Sequence, residues 1–253
     1  MCDRCSKGAL VMSYGLSVVN DAGTIIIDNT YKILVFSERG SFRITSQYTD
    51  KPGYGGINFS KPITTVEPPQ IFIRRESGVT PTLTVYCRLR GSSGNWTGFT
   101  LISGAGGSVL QNHLVEYVAC KFSDTVSTDN YGLNMWDESG DPIFSSSDKI
   151  VKYGKFTKSW GLDQSRDPYR YTSGLTIDKD DFICISSIDR GVNWMIDQHA
   201  YVSLTIISGN ARVLHMTGQL GAGGVKDWYW QGTRGTKFTI PVCKFPSDRY
   251  YNI

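Results

Sequence analysis

Little in this chain suits catalysis. There are three histidines, His113, His199 and His215, each in or beside a strand-like stretch, and no Gly-x-Ser-x-Gly elbow or similar nucleophile motif accompanies them. No pair of carboxylates is nominated for glycoside hydrolysis either. Long apolar runs are missing, so no segment is expected to span a bilayer. The N-terminus lacks the basic and apolar stretches of a signal peptide, and cytoplasmic synthesis is the expectation. Basic residues form no stripe: Arg74-Arg75, Arg88, Arg90, Lys149, Lys152, Lys155 and Lys158 are scattered, and the formal net charge is +3. A phosphate backbone calls for a denser track than that, so nucleic acid is not an expected partner.

Metal and phosphate chemistry find equally little. Cys2 and Cys5 form a Cys-x-x-Cys, but no second pair or histidine follows at zinc spacing. Cys87, Cys120, Cys184 and Cys243 lie in strand-like segments and read as small buried hydrophobes in a reducing compartment. Gly104-Ala105-Gly106-Gly107 lacks the Lys-Ser/Thr of a phosphate loop and reads as a strand-to-strand turn. Asp178 and Asp180 would begin a calcium loop, but Phe182 stands where the third oxygen is needed. No cofactor, metal site or catalytic residue is expected, and the protein reads as non-enzymatic.

Strand signals dominate what is present. Leu83-Thr84-Val85-Tyr86 and Ser203-Leu204-Thr205-Ile206 alternate as half-buried strands do, and Ile33–Phe36, Gln70–Arg74 and Phe182–Ser186 are short apolar runs. Gly, Ser, Asn and Asp punctuate these runs about every ten residues, the pattern of sandwiches and small barrels, and no sustained helical period competes. The fold expected is all-β, in two tandem β-sandwich-like domains.

The tandem reading rests on an internal echo. Tyr14-Gly15-Leu16, a strand, Asp21-Ala22-Gly23 and a second apolar run recur as Tyr131-Gly132-Leu133, a strand, Asp137-Glu138-Ser139-Gly140 and a second apolar run. The displacement is 117 residues, and the glycine string 104–107 recurs at 221–224 with the same displacement. Cys120-Lys121-Phe122 returns 123 residues later as Cys243-Lys244-Phe245, so a short insertion follows the second glycine string. This frame divides the chain into an N-terminal extension (1–11), a first repeat (12–123), a polar linker (124–130), a second repeat (131–246) and a tail (247–253). Arg249-Tyr250-Tyr251 in the tail is read as docking on a neighbour or covering an edge strand.

Aromatic residues are the candidates for binding. Trp228-Tyr229-Trp230 lies in the insertion, without a counterpart in the first repeat, and alternation would put Trp228 and Trp230 on one face. Tyr54, in Pro52-Gly53-Tyr54-Gly55-Gly56, reads as one aromatic presented by a flexible loop. Exposed rings of this kind stack on sugars or anchor protein interfaces.

The opening Met12-Ser13-Tyr14-Gly15-Leu16-Ser17-Val18-Val19-Asn20-Asp21-Ala22-Gly23, with the apolar strand and Asp28 after it, resembles the start of a family of small β-rich proteins encoded with tail-tip and tail-fibre components of long-tailed phages and prophages. The resemblance covers the first part of each repeat well and the remainder loosely. It implies a bacteriophage virion structural protein of the tail tip or tail fibre, assembled in the host cytoplasm and then carried on the virion tail. Other phage tail proteins and further copies in a homo-oligomer or symmetric assembly would be its partners. Host attachment through a surface receptor or glycan is a possible addition. The alternative is a free receptor- or carbohydrate-binding module using the same aromatics.

Overall fold

The computed structural model describes residues 18–19, 25–27, 31–49, 51, 53–75, 82–103, 110–127, 131–157, 161–163, 170–186, 200–207, 213–220 and 239–252. All regular secondary structure among them is strand, as the sequence predicts. In chain order the strands are β1 (Val18–Val19), β2 (Ile25–Ile27), β3 (Leu34–Thr45), β4 (Tyr54–Ile63), β5 (Gln70–Arg75) and β6 (Thr82–Ser92). Then come β7 (Asn95–Ser103), β8 (Asn112–Phe122), β9 (Asn134–Trp136), β10 (Pro142–Ser145), β11 (Tyr153–Phe156) and β12 (Gly161–Asp163). The last are β13 (Arg170–Thr176), β14 (Asp181–Cys184), β15 (Ala200–Ile207), β16 (Val213–Leu220) and β17 (Pro241–Lys244).

The chain forms two compact units, and these cut across the repeat frame. One unit gathers residues 1–33 and 123–147, which include the opening hairpin of each repeat; the other gathers 34–122 and 148–253. In the first unit β1 pairs with β2 and β9 with β10, both antiparallel and both with a register irregularity. The acidic turn of the second hairpin closes as its sequence predicts. Asp137 Oδ1 accepts the backbone N–H groups of Ser139 and Asp141 at 2.9 Å each, and Gly140 takes the positive φ (+84°) that completes the bend. Gly132 of the Tyr-Gly-Leu motif has φ +144°, and a Cβ there would press on the Ser146 hydroxyl that accepts the Leu133 N–H. Among the described residues of this unit, Met135, Ile143 and Phe144 are buried and apolar.

The second unit holds one antiparallel sheet of 13 strands, ordered β11-β17-β14-β5-β8-β3-β4-β7-β6-β15-β16-β13-β12. Laid flat, 13 strands would span roughly 58 Å at about 4.8 Å each. Yet its two outermost strands are consecutive in sequence, Phe156 ending β11 and Gly161 beginning β12. Five residue steps reach at most about 18 Å, so the sheet curls until its ends approach.

The curled sheet gives two sandwich-like layers over one core. Ile71, Ile73, Val115, Tyr117 and Ile183 meet Phe59, Ile63, Val85, Phe99 and Leu101 in a single buried cluster. Phe99 packs edge-on against Tyr117 at 5.4 Å between ring centres and against Phe42 at 5.6 Å. Strands β5 and β14 are buried on both faces: Ile71, Ile73 and Ile183 point into that cluster, while Phe72, Phe182 and Cys184 enter a second one on the outer face. That double burial explains why their sequences run apolar without alternation.

Strand β3 is far longer than the apolar run Ile33–Phe36 suggested. Its mostly polar continuation, Ser37–Arg43, is held by pairing with β8 that slips over Ser37 and then runs unbroken from Glu38, and its buried carboxylate has its own donors. Glu38 accepts the Ser60 N–H at 2.7 Å, the Ser60 hydroxyl at 2.6 Å and the Tyr117 hydroxyl at 2.8 Å. Strands β3 and β4 pair only at Thr45–Tyr54, and further along the Glu38 side chain takes up the Ser60 N–H.

Candidate interaction surface

The outer face of β11, β17, β14, β5, β8 and β3 carries the features that bear on binding. One end of it is covered by the chain's own C-terminal segment. Tyr250 is 2% exposed, its ring 5.8 Å from Phe36 and 5.1 Å from Phe245, and its hydroxyl donates to the Ile150 carbonyl at 2.7 Å. Burial raises its pKa, against the pull of the Arg249 charge. Arg39 fastens the same segment by donating to the Phe245 and Tyr250 carbonyls, while its backbone N–H donates to Asn252 Oδ1 at 2.8 Å. The sequence reads this segment as docking on a neighbour or covering an edge strand; Tyr250 instead packs on the face of β3, a strand inside the sheet. Tyr251 stays exposed, with the Lys149 ammonium 3.3 Å from its ring centre.

Two further aromatic rings on this face stand partly in solvent. On β11, Tyr153 and Phe156 are each 42% exposed, and their rings lie 5.3 Å apart. A bulge between Tyr153 and Lys155 sets both rings on one side of the strand. The Tyr153 hydroxyl is tucked inward, donating to Gln70 Oε1 at 3.3 Å. Burial of that hydroxyl, and then the nearby thiols of Cys184, Cys243 and Cys120, raise its pKa. A ring face in solvent above an anchored hydroxyl is a rigid aromatic contact, the kind favoured at interfaces. Counting forward 117 residues from Phe36 and Arg39 leads to Tyr153 and Phe156. Sequence reasoning overlooked the pair, and the offset could not have marked it, since Phe36 is buried and position 39 is not aromatic.

Beside the covering segment lies a cleft of about 460 Å³ lined by Arg39, Arg74, Lys244, Asp180, Asp248 and Phe245, among others. Arg74 donates to Glu116 Oε2 at 2.7 Å, lies 3.6 Å from Asp180 and stacks on the Phe182 ring at 4.6 Å; Arg39 reaches the same Glu116 oxygen at 3.8 Å. Arg39 and Arg74, two of the three cations of the lining, are thus both held by the Glu116 carboxylate. The cleft is an ion-pair network holding strands and tail together. A second network has Lys155 between Asp178 at 2.8 Å and buried Asp181 at 2.7 Å. Burial alone would lower the Lys155 pKa, but these two carboxylates hold it raised. The Asp178–Asp181 stretch therefore serves a lysine and a turn, its Asp178 N–H donating to Asp181 Oδ2.

Of the sequence candidates for binding, Tyr54 alone lies among the described residues. Tyr54 is 56% exposed, but it is the first residue of β4 rather than part of a flexible loop. Gly53 is pinned to Ser103, accepting its N–H at 2.9 Å and donating to its hydroxyl at 3.0 Å. Gly55 and Gly56 let the Arg43 and Phe99 carbonyls approach closer than any Cβ would allow. Exposed Tyr48 and Leu110 share this end of the sheet, where Ser46 and Lys51 bond Gln111. Trp228, Tyr229 and Trp230 lie outside the described residues, as do Cys2 and Cys5. Among the described residues no group of His, Cys, Asp and Glu is arranged to hold a metal ion. Comparison with known protein families, with curated proteins and with solved structures returns no match.

Proposed function

We propose that this protein is a non-enzymatic structural and interaction protein of a bacteriophage tail tip or fibre, working through rigid aromatic surfaces of its sheet. The resemblance of the Tyr-Gly-Leu opening suggests the setting. The observation that carries the interaction reading is the Tyr153–Phe156 pair, two tilted rings in contact and partly exposed on an end strand. In the other unit Tyr131 (89% exposed), Leu133 and Trp136 offer a further apolar surface. Partners of stated kind are other tail proteins and further copies of this chain. Gold-labelled antibody microscopy of particles from the source strain tests the setting: label at the distal tail is expected, and particles without label would sink it. The double variant Tyr153→Ser/Phe156→Ser tests the surface. Fewer assembled or labelled tails are expected while the purified variant stays folded.

Recognition of a host-surface glycan is a second reading, favoured by Tyr54 and Tyr48 standing exposed at one end of the sheet. Tyr54→Ala would then reduce adsorption of intact particles and remove binding on a glycan array. Intact adsorption would set this reading aside.

A further inference from the structure

We propose that the two sequence repeats are the halves of a fused two-fold dimer, joined through the β5–β14 and β6–β15 seams, and that each seam is a surface built to take a second repeat of the same kind. The proposal does not depend on where the protein acts. It rests on pairing registers that coincide between the halves.

In the first half Phe36 pairs with Cys120, the register slips over Ser37, and Glu38 and Arg39 then pair with Ala119 and Val118. In the second half Tyr153 pairs with Cys243, the register slips over Gly154, and Lys155 and Phe156 pair with Val242 and Pro241. The first members of these pairs differ by 117 residues and the second members by 123, the two displacements of the sequence repeat. The same bulge thus recurs at the same place. Thr45–Tyr54 on β3 and β4 likewise recurs 117 residues on as Leu162–Tyr171 on β12 and β13. Gln70–Cys120 and Ile71–Ala119 recur as Phe182–Cys243 and Ile183–Val242, which matches β5 to β14 with a shift of 112.

That shift makes a statement about the seam without using the seam. It maps Phe72 onto Cys184, and these two residues face each other across β5 and β14. Ile73 faces Ile183, and the Ile185 N–H donates to the Ile71 carbonyl at 2.9 Å, so exchanging the halves leaves the backbone pairing in place. This is the isologous pairing of a two-fold axis. Outward from the seam the order β5-β8-β3-β4-β7-β6 is answered by β14-β17-β11 and then, from the far end, β12-β13-β16-β15. The two series meet again where β6 pairs with β15.

Each half by itself would present two unpaired edges and open the cluster containing Ile71, Ile73, Val85 and Phe99 to water. The repeats are therefore not independent domains. Native-state hydrogen exchange on the uncut chain tests this. Amides of β5 and β14 are expected to lose protection together at one denaturant concentration; loss at clearly different concentrations would overturn the proposal. A full-length chain with a protease site inserted after Ser127 adds a second reading. After cleavage both fragments are expected to co-elute at the mass of one chain, and to re-form that particle when separated in denaturant and mixed. Fragments that part and each remain folded as monomers would refute it.

Discussion

Cys120, Cys184 and Cys243 share the outer-face cluster with Phe72, Phe182 and Tyr250, and Cys87 lies in the inner one. All four are buried thiols outside any disulfide, and burial is what their strand-like settings predicted. Burial, with the neighbouring thiols adding to it, raises Cys120; burial pushes Cys243 from 9.0 to about 12. The thiolate is the reactive form, so these sites are expected to resist iodoacetamide in the native protein and to label fully in denaturant, read residue by residue by mass spectrometry. The same shifts set a pH dependence. Above about pH 9 the unfolded chain has released thiol protons that the folded chain keeps, so unfolding gains with each step upward in pH. Stability is expected to be level below the unfolded thiol pKa and to fall from there through about pH 12. Cys243→Ala should make that decline shallower. Glu38 supplies the converse case, a buried acid satisfied by three neutral donors. Glu38→Ala leaves the Ser60 N–H and Tyr117 hydroxyl unpaired, at a cost on the order of 3 kcal/mol in chemical denaturation.

At the scale of elements, turns and the covering segment decide local stability. Asp137→Ala removes the acceptor of two backbone donors in the β9–β10 turn, and a loss of about 1 kcal/mol with faster amide exchange at Ser139 and Asp141 is expected. The β6–β7 hairpin depends on Gly91, whose φ of +97° sets its missing Cβ against the Asn95 backbone. Gly91→Ala is expected to destabilise by about 2 kcal/mol or more, because both strain and backbone overlap act. Tyr250→Ala empties the pocket between Phe36 and Phe245 and forfeits the bond to Ile150. By analogy with large aromatic truncations it should cost about 3–5 kcal/mol, lowering the midpoint of thermal unfolding.

For the whole molecule, surface and core separate cleanly. Tyr153 and Phe156 pack only partly, so serine at both is expected to move the denaturation midpoint little while weakening assembly into particles. Equal loss of stability and assembly would mean the rings serve the fold and not a partner. Strand identity, the Asp137 turn and the burial of the cysteines were legible in the sequence, since each follows from neighbours along the chain. The full length of β3 was not, because Ser37–Ser41 is polar and becomes a strand only through β8. Neither was the role of Tyr250, which depends on Phe36 some two hundred residues away.

By itself the sequence determined an all-β chain, through alternation, punctuation by turn residues and the absence of helical periods. It also displayed the internal echo at 117 residues. The tertiary structure alone decided what is joined to what: the opening hairpins in one unit, the two bodies in one sheet, Tyr250 over Phe36 and Tyr153–Phe156 left bare. The physical reason is that strand character is a property of local spacing, whereas pairing is chosen by edges and apolar faces that meet only when distant segments fold together.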